Sequence, residues 1–275
     1  MVTQIQAAEY YLSLYLADAI YVWGMNAPDI ITREKILETY ERYHTTKYDR
    51  EYYEDKLVEG YGHIGSDCSG AHHGISGYDD TAQGYYNQSI AKGNTKEMSK
   101  DKVIPLYRGK ATNKIEHTGV YIPGFGMFHM KSSAENAVLE TFDKNYFKYF
   151  GYADFINYSS KNFVLREHYD LWTAVLQHEL NKSYNCGLEV DGIFGSKTLE
   201  ATTSIGYLRK GSKGKFVLML QNFLNSIYGD VLVPDADFGK ATREQVMRFQ
   251  KNCGLEADGI VGHDTWLAIK KRIKL

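Results

Sequence analysis

The sequence has few of the residues that define several common protein classes. Its 275 residues include only 3 cysteines and 4 prolines, and its formal net charge is −2. Three cysteines cannot all pair within one chain, so we expect no disulfide framework. The near-neutral charge gives no sign of a basic surface for nucleic acid or for anionic lipid. We therefore expect neither a nucleic acid nor a membrane among its partners.

Long apolar runs are also missing, since no segment approaches eighteen uninterrupted apolar residues. The N-terminal stretch "MVTQIQAAEYYLSLYLADAI" lacks a basic region and carries Asp18 within its apolar part. These features predict neither a membrane span nor a signal peptide, so we expect synthesis in a cytoplasm. Tyrosine, in contrast, is abundant, with 23 residues. Its flat ring and polar tip suit sugar and peptide ligands as well as protein cores.

The C-terminal part of the sequence repeats itself. Three strings share Asp, Gly and Thr at their second, sixth and ninth positions: "VDGIFGSKT" from Val190, "PDADFGKAT" from Pro234 and "ADGIVGHDT" from Ala257. Gln177 and Gln221 each precede the Asp of their string by 14 residues. Asp-Gly favours a tight turn, and the apolar residues around it recur at helical spacing. Each unit therefore predicts helix, turn and helix, and residues 168–275 predict a small all-α bundle.

Several residues of these repeats have assignable roles. Thr242 and Gln245 have the spacing of a helix capping box. Cys186 and Cys253 stand in the near-identical strings "NCGLEVDGI" and "NCGLEADGI", which predicts that both are small buried hydrophobes. The Asp-Gly pairs could suggest calcium, but each offers at most two acidic oxygens and lacks the alternation of a calcium loop. We favour turns over a metal site.

The pattern "LQ..LN…DG.FG..T…FQ…GL..DGIVG..TW" resembles the helical peptidoglycan-binding domains that are appended to wall-lytic enzymes. The resemblance covers about residues 168–275 and implies peptidoglycan of the bacterial cell wall as the partner. Ala236 stands where that family usually has Gly, which weakens the expectation that all units bind equally.

The first part of the chain, residues 1–158, has the texture of an α+β domain with helices packed on an antiparallel sheet. Ile36, Leu37, Tyr40 and Tyr43 form one helical stripe, and "REYYEDKLVEG" predicts a second helix. The segments "KVIPLYRG" and "HTGVYIPGFGMFHMKSS" alternate with period two, and "PGFG" predicts a hairpin turn. We expect the domain boundary within residues 158–168.

Cys68, in the string "GSDCSG", is a candidate nucleophile. A thiol attacks as the thiolate, so a catalytic cysteine needs surroundings that lower its pKa. Ser66 or Asp67 could cap a helix that begins at Cys68 and place the sulfur at the positive end of the helix dipole. His117 on a downstream strand offers a general base. A buried structural cysteine remains the alternative.

His129 follows His117 by 12 residues and could orient the imidazole of His117 and stabilise its protonated form. An even hairpin loop around Pro123–Gly126 would put the two histidines on opposite faces of the sheet. The pairing therefore requires an odd loop or a bulge near Gly124 or Gly126.

A zinc site is a further alternative, because His63, His72 and His73 surround Asp67 and Cys68. Their separations fail the usual zinc-ligand spacing. We expect His72 and His73 to face solvent or to line a cleft, and we expect no metal and no cofactor.

Together, "YVWG" (Tyr21–Gly24), "SDCSG" (Ser66–Gly70) and "HTGVYI" (His117–Ile122), followed by His129, resemble the NlpC-type papain-like cysteine peptidases of cell walls over about residues 5–157. The resemblance implies a papain-like α+β catalytic domain. It makes Cys68 the nucleophile, His117 the general base and then acid, and His129 the orienting residue.

The same resemblance suggests the substrate contacts. Tyr21 would place its hydroxyl near the sulfur or the oxyanion, and backbone amides at the start of the Cys68 helix would bind the oxyanion. Asp67 and Ser69 flank the nucleophile as further contacts. Trp23 could stack on a sugar, or it could simply pack in the core.

Two features depart from that family. Met25 stands where a second Gly is usual, and the 43-residue interval from Gly24 to Asp67 is longer than the family's usual connection. We expect this interval to form an inserted lid or cleft wall.

The implied activity is an endopeptidase that cuts the peptidoglycan stem peptide, typically after the D-glutamyl γ-carbonyl, as in a phage endolysin or an exported autolysin. The alternatives are an N-acetylmuramoyl–L-alanine amidase of the same fold, a metallohydrolase and a non-catalytic wall-binding protein.

Overall fold

The computed structural model describes residues 1–229 and 231–273. The chain divides into two compact units, Met1–Phe163 and Val164–Leu275. The division falls inside the segment 158–168, where the sequence places the boundary. None of the helices in the described residues is long and apolar enough to span a membrane.

The first unit combines helices with a six-stranded antiparallel sheet. Its helices are α1 (Gln4–Leu16), α2 (Arg33–Tyr43), α3 (Arg50–Gly60), α4 (Gly70–Ser76) and α5 (Ala82–Gln88), with a 3₁₀ turn at Thr95–Glu97. Its strands are β1 (Val2–Thr3), β2 (Ile20–Tyr21), β3 (Gly65–Ser66), β4 (Ala91–Asn94), β5 (Ile104–Ala111), β6 (Lys114–Ile122), β7 (Gly126–Met130), β8 (Ala137–Glu140), β9 (Tyr149–Tyr152) and β10 (Ile156–Asn157). The expected α+β organisation is present.

The sheet has the order β4-β9-β5-β6-β7-β8, and two short parallel pairs, β1–β10 and β2–β3, lie outside it. Helix α1 begins with a capping box between Thr3 and Gln6. It buries Tyr11 and Leu12 completely and contacts β7, β8 and α4. Helix α1 therefore packs against the β7–β8 end of the sheet and against α4, the helix that follows Cys68.

The β6–β7 hairpin determines which side chains share a face. Ile122 pairs with Gly126, so the loop between them has three residues, 123–125. Gly124 and Gly126 both have positive φ, 78° and 99°, which glycine adopts without steric cost. The hairpin thus has the odd loop that a pairing of His117 with His129 requires.

The long segment after Gly24, which we call the excursion, leaves the end of β2 and returns beside β2 at β3. It carries α2 and α3, and its ends are the parallel pair in which Ile20 lies beside Gly65 and Tyr21 beside Ser66. The helix predicted for "REYYEDKLVEG" is α3. In α2, Ile36 is buried as expected, but Leu37 is 51% exposed, because the buried face of this helix continues through Thr39 instead.

The second unit is all-helical in its described residues. Its helices are α6 (Tyr169–Tyr184), α7 (Ser196–Ala201), α8 (Lys215–Tyr228), α9 (Lys240–Asn252) and α10 (His263–Ile273), with 3₁₀ turns at Leu165–Glu167 and Thr202–Ile205. The stripe predicted on α8 is its core face, since Val217, Leu220 and Phe223 are fully buried.

One hydrogen-bond arrangement explains why the three repeats share Gln, Asp and Thr at equivalent positions. The Gln221 amide donates to Asp235 Oδ1 (2.8 Å), to the Asp237 carbonyl (3.0 Å) and to Thr242 Oγ1 (3.1 Å). Its oxygen accepts from the Ala236 N–H (2.9 Å). Gln177 and Gln250 repeat these bonds in the other two units. The shared Asp and Thr therefore hold the turn onto the preceding helix.

Two expectations for this unit are wrong, the capping box at Thr242 and the burial of the two cysteines. Thr242 makes no capping box, because its side chain is buried against Gln221 and α9 is capped by Gly239. Cys253 is exposed and Cys186 is half-exposed, since both follow a helix end at the surface. The substitution at Ala236 leaves the turn intact, with Ala236 in the left-handed region at φ 59°.

Candidate active site

Cys68 lies in the tight turn between β3 and α4. The helix begins at Gly70 with Ser69 as its N-cap residue, two residues later than the sequence predicts. Asp67 Oδ1 accepts from the N–H groups of Ser69 (3.0 Å) and Gly70 (2.7 Å), which fixes the turn. A Cβ at Gly70 would collide with the Met25 carbonyl oxygen, so this glycine allows the turn to approach the segment after β2.

Asp67 has a structural role, which corrects its assignment as a substrate contact. Besides the two amides, its carboxylate accepts from the Gly24 N–H (3.0 Å) and from the Ser69 hydroxyl (3.0 Å), and the residue is 8% exposed. Burial raises its pKa, and these hydrogen bonds act against that rise. Since the Ser69 hydroxyl is committed to Asp67, both residues shape the turn.

The two histidines of the hairpin meet on one face of the sheet. His117 Nε2 lies 2.8 Å from His129 Nδ1, and the residues are 4% and 1% exposed. Glu140 on β8, which sequence analysis missed, follows at 3.4 Å from His129 Nε2. The hydrogen bond to His129 lowers the pKa of Glu140 to about 2, so it is a carboxylate at neutral pH.

This order of partners determines the tautomers, which we assign from the hydrogen bonds. The Glu140 carboxylate can only accept, so His129 carries its proton on Nε2 and accepts at Nδ1. His117 then donates from Nε2 and keeps an unprotonated Nδ1. A nitrogen with a free lone pair is what a general base requires.

Strand β6 also touches the cysteine. The backbone amide of Thr118, the residue after His117, acts to lower the pKa of the Cys68 thiol against the rise that burial causes. Burial raises the pKa of Tyr21, and the charge on Cys68 raises it further. The Thr118 amide of β6, next to His117, and Tyr21 therefore both belong to the electrostatic surroundings of Cys68.

The protonation state differs from the expectation of an activated thiolate. Cys68 is 7% exposed, and burial, followed by the charge of Asp67, raises its pKa to about 12. Burial, followed by the charges of His129 and Arg108, lowers the pKa of His117. At neutral pH the resting site therefore holds a neutral thiol and a neutral imidazole.

His72 belongs to a buried network, which overturns the expectation that it faces solvent or a cleft. The Tyr11 hydroxyl donates to His72 Nδ1 (2.6 Å), and His72 Nε2 donates to Thr118 Oγ1 (2.9 Å). The Thr118 hydroxyl in turn donates to the Leu106 carbonyl (3.0 Å). The network ties α4, which follows Cys68, to β6, which carries His117. Only the packing of α1 brings these residues together, so local sequence gives no signal for it.

Trp23 lies half-buried against aromatic residues of the segment that carries α2 and α3. Its ring stacks on Tyr48 at 4.8 Å between centroids and 10° between planes. Its backbone N–H donates to the Tyr52 hydroxyl (3.0 Å), and the Tyr53 hydroxyl donates to its carbonyl (2.9 Å). Tyr52 and Tyr53 of α3 therefore hold the backbone of Trp23, which directly follows β2.

The histidines near Cys68 do not assemble into a metal site. Within residues 1–229 and 231–273, no group of three or more His, Cys, Asp or Glu side chains could hold a metal ion. His63 is exposed in the turn before β3, and His72 is engaged by Tyr11 and Thr118.

Residues 213–269 match the family model of a peptidoglycan binding domain. The match spans the second and third repeat units, and the first unit, around Gln177 and Asp191, lies outside it. No solved structure matches the chain. The C-terminal unit therefore carries a peptidoglycan-binding domain, which supports association with the bacterial cell wall.

Proposed function

We propose that this chain is a peptidoglycan hydrolase whose first unit is a papain-like, NlpC-type cysteine endopeptidase. The observation that carries the proposal is the His117–His129–Glu140 relay on strands beside the Cys68 turn. The peptidoglycan-binding domain supports the substrate, because a wall-binding unit raises the concentration of an attached enzyme on an insoluble polymer.

In the proposed reaction, Cys68 Sγ attacks the scissile carbonyl carbon as its proton passes to His117 Nδ1. The relay favours this transfer, because His129 orients the ring and Glu140 places negative charge behind the forming imidazolium. The tetrahedral intermediate collapses, and the proton of His117 goes to the departing amine. Water then hydrolyses the thioester, with His117 acting again as base.

The oxyanion needs donors that are not already engaged. The backbone amides of Ser69 and Gly70, at the start of α4, already donate to Asp67, so they are not available to bind the oxyanion. The backbone N–H of Cys68 and the hydroxyl of Tyr21 donate to no other residue in the described part of the chain. We assign the oxyanion to these two groups.

The proposed bond is the stem-peptide amide between the D-glutamyl γ-carbonyl and the diamino acid that follows. In the proposed role, the protein is a phage endolysin that reaches the wall after its release from the cytoplasm of the host and causes lysis.

Purified cell walls provide the test. The full chain should reduce wall turbidity, and Cys68→Ala should abolish the reduction while wall binding, measured by co-sedimentation, persists. Mass spectrometry of the released fragments should find new amino groups on the diamino acid. The matched control is Cys253→Ala, which removes an exposed cysteine of the other unit and should remain fully active.

Each competing function predicts a different result. An amidase would leave a new amino group on L-alanine, and a metallohydrolase would lose activity to EDTA while surviving thiol alkylation. Constant turbidity with fresh reduced protein between pH 5 and pH 9 would leave only wall binding and refute the proposed hydrolase.

A further inference from the structure

Arg108 is a cation on the same face of the sheet as the histidine relay. On β5 it lies directly opposite His117 of β6, and directly opposed residues of an antiparallel pair project to the same side. Its guanidinium lies over the ring of Tyr146, 4.6 Å from the centroid. That ring also packs against His129, at 5.4 Å between centroids. Arg108 is thus held beside the relay by an aromatic ring.

The carboxylates near Arg108 are engaged by other groups. Glu140 pairs with Lys131 (2.9 Å) and His129, and Glu135 pairs with Lys131 (2.8 Å). Among the residues that the structure describes, no carboxylate forms an ion pair with Arg108. The side chain is half-buried, so its charge is partly desolvated without a counter-ion.

This charge opposes the proposed chemistry in the absence of substrate. Arg108 contributes to the lowered pKa values of His117 and His129. A cation that disfavours an imidazolium makes His117 a weaker general base, unless the substrate brings an anion that offsets the positive charge. A γ-linked D-glutamyl residue supplies such an anion, because linkage through its side chain leaves its α-carboxylate free.

We propose that Arg108 is the specificity-determining residue of this site and binds the free α-carboxylate of the γ-linked acidic residue next to the scissile bond. This inference rests on the proposed endopeptidase function. A planar guanidinium binds a carboxylate through two parallel hydrogen bonds. The bound carboxylate also offsets the charge of Arg108, so the correct substrate makes His117 a better base.

Two soluble stem peptides test the inference. Both have the sequence L-Ala-γ-D-Glu-L-Lys, and they differ only in whether the D-glutamyl α-carboxyl is free or amidated. The full chain should cleave the free carboxylate with a kcat/KM about 10- to 100-fold higher, as charge-assisted bonds to a carboxylate imply. Arg108→Gln should bring this ratio close to one, and Arg108→Lys should restore part of it.

The control variant is Lys110→Gln, which removes an exposed cation two residues along the same strand. It should keep the full preference for the carboxylate. Thermal unfolding of each variant checks that the fold is retained. An equal rate for both peptides with the unsubstituted chain, or an unchanged preference in Arg108→Gln, would overturn the inference.

Binding to Cys68→Ala distinguishes failure of this inference from failure of the hydrolase proposal. Calorimetry should show tighter binding of the free carboxylate, and Cys68→Ala/Arg108→Gln should lose the difference. Tighter binding without cleavage by the unsubstituted chain would count against the hydrolase and support the carboxylate site. Equal affinities for the two peptides would refute the site whether or not cleavage occurs.

Discussion

Alkylation of Cys68 by iodoacetamide should be slow at neutral pH and should accelerate about tenfold for each pH unit up to about pH 11, because only the thiolate reacts. With a pKa of about 12, the thiolate fraction at pH 7.5 is roughly 3 × 10⁻⁵, against roughly 0.1 for an unperturbed thiol of pKa about 8.5. A thiolate of higher pKa is more nucleophilic, with a Brønsted coefficient of about 0.45, which recovers roughly 40-fold. The net expectation is a reaction about 100-fold slower than that of an unperturbed thiol, before any effect of burial on access.

The assay needs a chain in which Cys68 is the only thiol, so Cys186 and Cys253 are both changed to Ser. Adduct formation is followed by mass spectrometry between pH 5 and pH 10, with the same chain in denaturant as the unperturbed reference. His117→Ala is the second perturbation. Because both groups are neutral at rest, it should change the rate at pH 7.5 by less than about tenfold.

A stable thiolate–imidazolium pair would behave differently. The rate would reach a plateau from about pH 5 upward, and His117→Ala would remove that plateau and slow the reaction at pH 7.5 by several orders of magnitude. Either result would refute the assignment of a neutral resting pair and the physical reasoning from burial behind it.

Three further predictions concern packing around the site and the repeats. Ala236→Gly should raise the Tm of the C-terminal unit by a few degrees in calorimetry. The left-handed backbone conformation of Ala236 costs about 1–2 kcal/mol, which exceeds the entropy cost of a glycine there, about 0.5–1 kcal/mol. A lower Tm would contradict this prediction. His72→Leu should destabilise the first unit by about 1–3 kcal/mol at pH 7.5 in urea titrations, by leaving the Tyr11 hydroxyl unpaired, and Tyr11→Phe should restore part of the loss. Burial lowers the pKa of His72 in the folded state to about 3, against 6.5 in the unfolded state. The contribution of neutral His72 to the free energy of unfolding is therefore complete above pH 6.5 and falls by roughly 2.7 kcal/mol by pH 4.5. The Leu variant should lack this pH dependence of stability. Gly119→Ala should lower kcat on wall fragments by about 10- to 100-fold with unchanged wall binding, because a Cβ there would lie 2.7 Å from the Phe128 carbonyl oxygen and 2.8 Å from the Cβ of His129 and would displace the strand segment that carries this ring. Unchanged kcat would count against the orienting role of His129.

The hairpin shows how far sequence alone can reach. The string "PGFG" located the turn, and alternation identified the strands, but neither decided between an even and an odd loop. That choice rests on the backbone of Gly124 and Gly126, whose positive φ values fit a three-residue loop. Because one residue of register moves every side chain to the other face, a local choice decides whether His117 and His129 can meet.

Contacts between distant elements were beyond the sequence. His72 looked like a surface residue, because nothing near it indicates that Tyr11 on α1 and Thr118 on β6 will enclose its ring. Asp67 looked available to substrate, because its four hydrogen-bond donors come partly from Gly24, 43 residues earlier. In both cases the side chain is satisfied by a partner that only the tertiary fold supplies, so residue type alone gave the wrong environment.

The same tertiary partners explain why the long insertion leaves the proposed site assembled. The Gly24 N–H donates to Asp67 Oδ2 (3.0 Å), and the Asp67 N–H donates to the Met25 carbonyl (3.0 Å), so the two ends of the excursion lie one hydrogen bond apart. The entropy of closing such a loop grows only with the logarithm of its length, so forty extra residues cost little more than ten. Met25 itself is fully buried against Gly65, where a Cβ would meet the methionine sulfur. The turn that carries Cys68 is therefore held by hydrogen bonds at the base of this segment, independently of how long the segment is.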